Sequence, residues 1–153
     1  MIALNSPLKP DLNKLQHYLE QINNNGWFTN FGPLEQELTN RLAEYLGVKH
    51  LLLVNNGTSA LQVAAQTLGL EHILTTPFTF VATTSSFIWQ KKQVSFADID
   101  INSFNLSTVN VIDALKKDPI IDGVVATHVY GNPCDVDAFD DIQKINDINS
   151  SFH

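Results

Sequence analysis

In the first third of the chain, apolar residues recur at helical spacing. Leu12, Leu15, Tyr18, Leu19 and Ile22 fall on one face of a helix from Pro10 to about Ile22, with Asp11 near its amino end, where a carboxylate suits the helix dipole. Leu34, Leu38, Leu42, Tyr45 and Leu46 make a second face, and Pro33 before it and Gly47 after it are start and stop signals. The period then changes. Leu51 to Val54 is wholly apolar, the pattern of a short strand covered on both faces. Thr58 to Leu68 reads as a helix ended by Gly69, and HILTT, from His72 to Thr76, as a strand that stops at Pro77. FTFVATTSSFIWQ forms a helix despite its β-branched residues, and VSFADID follows as a strand. Ser107 to Lys117 predicts a helix capped by Ser107 or Thr108, IDGVVATHVYG contains a strand, and DVDAFDDIQKI opens a helix on an acidic first turn. The asparagines at 23–25 and after Asn146 read as loops. Strands alternate with helices, so the expected fold is α/β with a largely parallel sheet.

Composition narrows the partners. A chain of 153 residues that is 44% hydrophobic has the size and the apolar content of one domain. A formal net charge of -7, with basic residues scattered, argues against nucleic acid and against an anionic membrane surface. The adjacent pairs Lys91-Lys92 and Lys116-Lys117 suit helix ends. The opening MIALNSPLKPDL lacks a basic and then apolar leader, and no apolar run reaches the length of a membrane span, so a cytoplasmic protein is expected. Cys134 is the single cysteine and reads as a small buried hydrophobe; a nucleophilic role would need a base brought in by the fold. His17, His50 and His72 have no acidic or cysteine partner at metal-ligand spacing, and no metal site is expected.

Ligands of a parallel α/β sheet bind beyond the carboxyl ends of its strands, where helix amino termini converge. The stretch NNGTSA lies at such a place. Gly57 allows close backbone approach, Thr58 and Ser59 offer hydroxyls and first-turn N–H groups, and the dipole adds positive charge, all of which favour a phosphate. An ordinary tight turn with Thr58 as helix cap accounts for the same residues. There is no Gly-Lys-Ser/Thr for a nucleoside triphosphate and no glycine triplet for a dinucleotide, so something smaller is indicated. Phe78 and Phe80, in PFTFVATT, offer a surface for a flat ring, or else pack in the core. His128 and Asn132, near the end of VVATHVYGN, lie on the ligand side of the sheet.

FGPLEQELTNRLAEYLGVKHLLLVNNGTSALQVAAQTLGL, PFTFVATTSSFIWQKKQVSFADID and THVYGNPCDVDAF resemble, in order, successive blocks of the DegT/DnrJ/EryC1/StrS nucleotide-sugar aminotransferases, which are fold-type I pyridoxal-phosphate enzymes. The resemblance implies that Gly57, Thr58 and Ser59 hold the cofactor phosphate and that Phe80 stacks on its pyridine ring, with Asn56 standing where the family has a serine. It also implies that WFTNFGP, Trp27 to Pro33, is like the family's N-terminal active-site loop; an aromatic loop packed on the domain explains it as well.

The family reaction moves an amino group, usually from glutamate, to a keto group of a nucleotide-linked sugar. It needs a Schiff-base lysine and an aspartate at the pyridine nitrogen. In the family both come after the blocks matched here, the aspartate in an Asp-x-Ala-His motif on the next strand. NDINSSFH shows neither that motif nor an apolar strand, and the match is expected to fail at about Asn146. All eight lysines fall on predicted surfaces or helix ends, and Asp135 and Asp137 read as helix-opening residues. Residues 1–153 therefore resemble the N-terminal part of a cofactor-binding large domain, with binding residues but no catalytic ones, inactive alone; a non-catalytic binding module derived from that fold is the alternative. The resemblance further implies a homodimer or higher oligomer. It sets Leu51 to Val54 apart from the other three strands, so either that strand pairs with one of them or two chains cover each other's edges.

Overall fold

A computed structural model describes residues 7–146 and 149–152; the opening on which the leader reading rests lies outside the described residues. The chain forms two compact units, Met1–Leu53 and Val54–His153.

The first unit is a helical pair. Helix α1 (Leu12–Asn25) is capped by Asp11, whose Oδ1 accepts the N–H groups of Asn13 and Lys14 at 2.9 and 3.3 Å, and it ends on Gly26 in the left-handed conformation. Helix α2 (Pro33–Leu46) has proline in its first turn and ends on Gly47, also left-handed. Both boundaries of α2 are those the punctuation predicts. The linking loop is tied to itself: Trp27 Nε1 donates to Asn30 O at 3.1 Å, and Gln36 Nε2 to Phe31 O at 2.8 Å. No described residue of α1 or α2 is buried, and Leu12, Leu15, Leu19, Leu38 and Leu46 are exposed.

The second unit is the α/β core. Its elements are α3 (Gly57–Thr67), β1 (His72–Thr75), α4 (Val81–Trp89), β2 (Gln93–Phe96), α5 (Thr108–Lys117), β3 (Gly123–Ala126), α6 (Val136–Asn146) and β4 (Asn149–Phe152). The strands are parallel in the order β2-β1-β3-β4, with β1 and β3 buried throughout. Side chains alternate across the sheet. Ile73 and Val125 pack with Leu61 and Ala65 of α3 and Phe87 of α4, while Leu74, Val124 and Ala126 pack with Val111 and Leu115 of α5 and Phe139 and Ile142 of α6. Each face of the sheet is thus covered by a helix pair. Each helix that leads into or out of a strand runs back against it, so the amino ends of α3, α4, α5 and α6 share the carboxyl edge of the sheet.

Four expectations need correction. Asn23 to Asn25, read as a loop, are the last residues of α1, and the helix stops only at Gly26. Leu51 to Val54 forms no strand: it pairs with none of the described strands, and Leu52 is 65% exposed. An apolar run gives a strand only where a neighbour can take its backbone hydrogen bonds. The opposite error falls on NDINSSFH, since polar Asn149–Phe152 joins the sheet as β4, beside β3. The backbone ladder makes that strand, which an apolar pattern cannot reveal. Finally, Lys92 is not a surface residue: it is 6% exposed, and its Nζ donates to Leu70 O and lies 3.5 Å from Glu71 Oε1. Its ammonium is satisfied within the unit, so the stem can be buried.

Candidate functional site at the carboxyl edge of the sheet

Asn56 has extended backbone (φ -165°, ψ 166°) and caps α3, its Oδ1 accepting the Ser59 N–H at 2.9 Å. The Ser59 hydroxyl donates to Asn55 Oδ1 at 2.8 Å. Both donors of Ser59 are therefore engaged. Among the described residues no acceptor is found for the N–H groups of Gly57 and Thr58, which head the helix at a half-open position. Unpaired first-turn N–H groups at the positive end of a helix dipole make an anion cradle that needs no lysine. Asparagine in place of serine at position 56 is thus a helix cap that takes one N–H and leaves two.

Beyond the ends of β1 and β3 lies a groove of about 400 Å³ lined by Pro77 to Phe80 and Thr127 to Tyr130. Phe80 is 76% exposed, which removes the core-packing reading for it. Phe78 is partly covered, its ring centroid 6.0 Å from that of Phe104. The two walls are joined at the floor. Thr79 Oγ1 lies 3.0 Å from both Thr83 Oγ1 and Thr127 Oγ1, linking the loop after β1 to α4 and to the loop after β3.

The second wall is held by a residue the sequence did not single out. Asn105 is 4% exposed; its Oδ1 accepts the Val129 N–H at 2.9 Å, and its Nδ2 donates to the carbonyls of Asn132 and Pro133, each at 3.0 Å. These partners lie 24 to 28 positions away, so no local pattern points to it. Asn132 Nδ2 donates to Ser103 O at 3.0 Å, and His128 Nδ1 accepts the Cys134 N–H at 2.9 Å, which puts the proton of a neutral His128 on Nε2. His128 lines the groove, and the Asn132 side chain is engaged in holding the loop.

Cys134 is buried, as read from the sequence, and its Sγ donates to Thr127 O at 3.1 Å. Burial pushes its thiol pKa up, away from the thiolate a nucleophile needs. Asp135 caps α6 through the Ala138 N–H at 3.1 Å, in keeping with the helix-opening role. Lys91 and Lys92 follow α4, and Lys116 and Lys117 close α5, which places all four at the amino edge, opposite the groove. His72 Nε2 lies 2.8 Å from Ser95 Oγ, and its Nδ1 is 3.8 Å from Asp118 Oδ2, at that same amino edge. Among the described residues no group of three or more His, Cys, Asp or Glu side chains is placed to hold a metal ion. None of the described helices is long and apolar enough to cross a membrane.

Residues 11–149 match the DegT/DnrJ/EryC1/StrS aminotransferase family, to which this chain belongs. The match runs slightly past Asn146, into β4. The chain is 38% identical over 147 residues to dTDP-4-amino-4,6-dideoxy-D-glucose transaminase of Escherichia coli, covering 95% of this chain and 38% of that one. It is 41% identical to the enzyme of the same name from Shigella dysenteriae, covering 95% and 40%. It thus spans about two fifths of the length of these curated relatives. Among solved structures, DesI in the presence of its TDP-sugar product superposes with a TM-score of 0.89 at 31% identity, over 95% of this chain and 37% of that one.

Proposed function

We propose that these residues are the cofactor-binding part of a sugar transaminase that uses pyridoxal phosphate and, as a whole protein, aminates a keto group on a nucleotide-linked sugar with glutamate as donor. The carrying observation is the pair of unpaired N–H groups of Gly57 and Thr58 on the same sheet edge as the exposed ring of Phe80. The cofactor, when bound, supplies the electron sink for amino transfer. The chain's own residues bind and orient it. The Gly57 and Thr58 N–H groups and the Thr58 hydroxyl take the phosphate; Ser59 adds its hydroxyl on exchanging the Asn55 bond for the anion. Phe80 lies against the ring and keeps water from one face. The Asn105 clamp fixes the wall that His128 and Tyr130 build.

Lys91, Lys92, Lys116 and Lys117 lie at the far edge, and the reading assigns no Schiff-base lysine to these residues. Pyridoxal phosphate therefore binds this polypeptide weakly, without a covalent bond and anchored by its phosphate. Two measurements check this. Borohydride reduction after incubation yields no stoichiometric adduct at a single lysine, and the combined substitution Gly57→Val with Thr58→Val lowers affinity for phosphate esters by about tenfold or more. A single-site adduct with glutamate-dependent turnover, or unchanged affinity in the double variant, contradicts the reading.

The same reading extends to the cytoplasm, where an unpaired buried cysteine stays reduced, and to a homodimer or higher oligomer. The leucines that α1 and α2 leave exposed, Leu12, Leu19, Leu38 and Leu46, support association. Sedimentation as a monomer at every concentration would exclude it.

A further inference from the structure

Tyr130 breaks two local rules at once. It is a non-glycine residue in the left-handed region (φ 55°, ψ 23°), and its large ring is 92% exposed. Neither is explained by packing. A tyrosine is uncommon at this φ, and such strain persists only where the surroundings over-determine it. Here they do: the peptide units around it are fixed by Val129 N–H to Asn105 Oδ1, by Asn132 and Pro133 carbonyls to Asn105 Nδ2, and by Cys134 N–H to His128 Nδ1. Gly131 follows at φ 80°, so the chain makes a tight left-handed turn that aims residue 130. The turn forms the wall after β3, and the wall after β1 carries Phe80 across the groove.

We propose that Tyr130 is a specificity-determining residue of this groove: its ring, presented by the clamped left-handed turn, forms the aromatic wall that faces Phe80 and selects a phosphate ester bearing a planar ring over a bare phosphate. The proposal rests on the cofactor reading of the Gly57–Thr58 cradle and adds a residue to it. The ring supplies the selection, and the phenol hydroxyl is not required.

The test uses the full 153-residue chain, with amide shifts of Gly57 and Thr58 followed during titration by pyridoxine 5′-phosphate and, separately, by inorganic phosphate. The unsubstituted chain binds the ring ester more tightly. Tyr130→Phe keeps that preference, because the ring stays. Tyr130→Asn, a residue that tolerates the left-handed turn, lowers affinity for the ring ester by about three- to tenfold and leaves inorganic phosphate unchanged. A ring preference that persists in Tyr130→Asn overturns the role of Tyr130 alone. Equal affinity for the two ligands in the unsubstituted chain overturns the cofactor reading and the proposal with it. Loss of both ligands in Tyr130→Asn, with the other amide shifts intact, makes the residue a support of the cradle and also overturns ring selection.

Discussion

At the residue scale, the side chains proposed to bind the cofactor are ones left out of the core. Phe80 lies at the amino end of α4 with its ring in solvent, so stability gains little from it while a flat ligand gains a platform. Phe80→Ala is therefore expected to change unfolding free energy by no more than about 0.5 kcal/mol. The same change lowers affinity for a ring phosphate by about threefold or more while sparing inorganic phosphate. Parallel denaturant and ligand titrations check both, and a loss of several kcal/mol in stability would return Phe80 to the core. The placement of Gly57, Thr58 and Phe80 at the carboxyl edge was legible in the sequence because they fell where a strand ends and a helix begins. Asn105 and Tyr130 were not. The partners of Asn105 are distant in sequence, and nothing in YGNP announces that the tyrosine itself takes the left-handed conformation.

At the element scale, legibility followed local chemistry. Pro33 and Gly47 bound α2, Asp11 caps α1 and Ser107 caps α5, each effect acting within one turn of the residue that causes it. Strands are a different matter, because a strand is made by its neighbour. Leu51–Val54 has the apolar pattern and no pairing, whereas Asn149–Phe152 has pairing and no apolar pattern. Close packing between strand and helix end is itself testable at Gly123 in β3, where an added Cβ would stand 2.7 Å from Leu70 Cδ1. Leu70 is buried against Ile73 and Val125 and has little room to yield. Gly123→Ala should destabilise by about 1–2 kcal/mol. Combined with Leu70→Ala it should cost less than the sum of the single changes, since the added methyl enters the space vacated. Strict additivity in chemical denaturation would show that the two do not meet.

At the scale of the whole molecule, the sheet of Val54–His153 brings together what the sequence keeps apart. Four parallel strands set α3 and α4 side by side, with Gln90 Nε2 donating to Gln62 O at 3.0 Å between them, and the amino ends of both helices share one edge. Leu51 to Val54 carries no strand pairing, a difference hydrogen exchange can read. Amides of Leu51 to Val54 should exchange at close to the rate of an open chain, while those of β1 and β3 are protected by at least about a hundredfold. Protection at Leu51–Val54 equal to that of β1 would place it in a ladder and contradict the fold described. The central claim, that the amino end of α3 receives the cofactor phosphate and Phe80 its ring, is tested most directly by a crystal structure of this chain with pyridoxine 5′-phosphate. The expected result is phosphate oxygens within hydrogen-bonding distance of the Gly57 and Thr58 nitrogens and the ring against Phe80. A ligand bound elsewhere at full occupancy, with those two nitrogens unliganded, would contradict it.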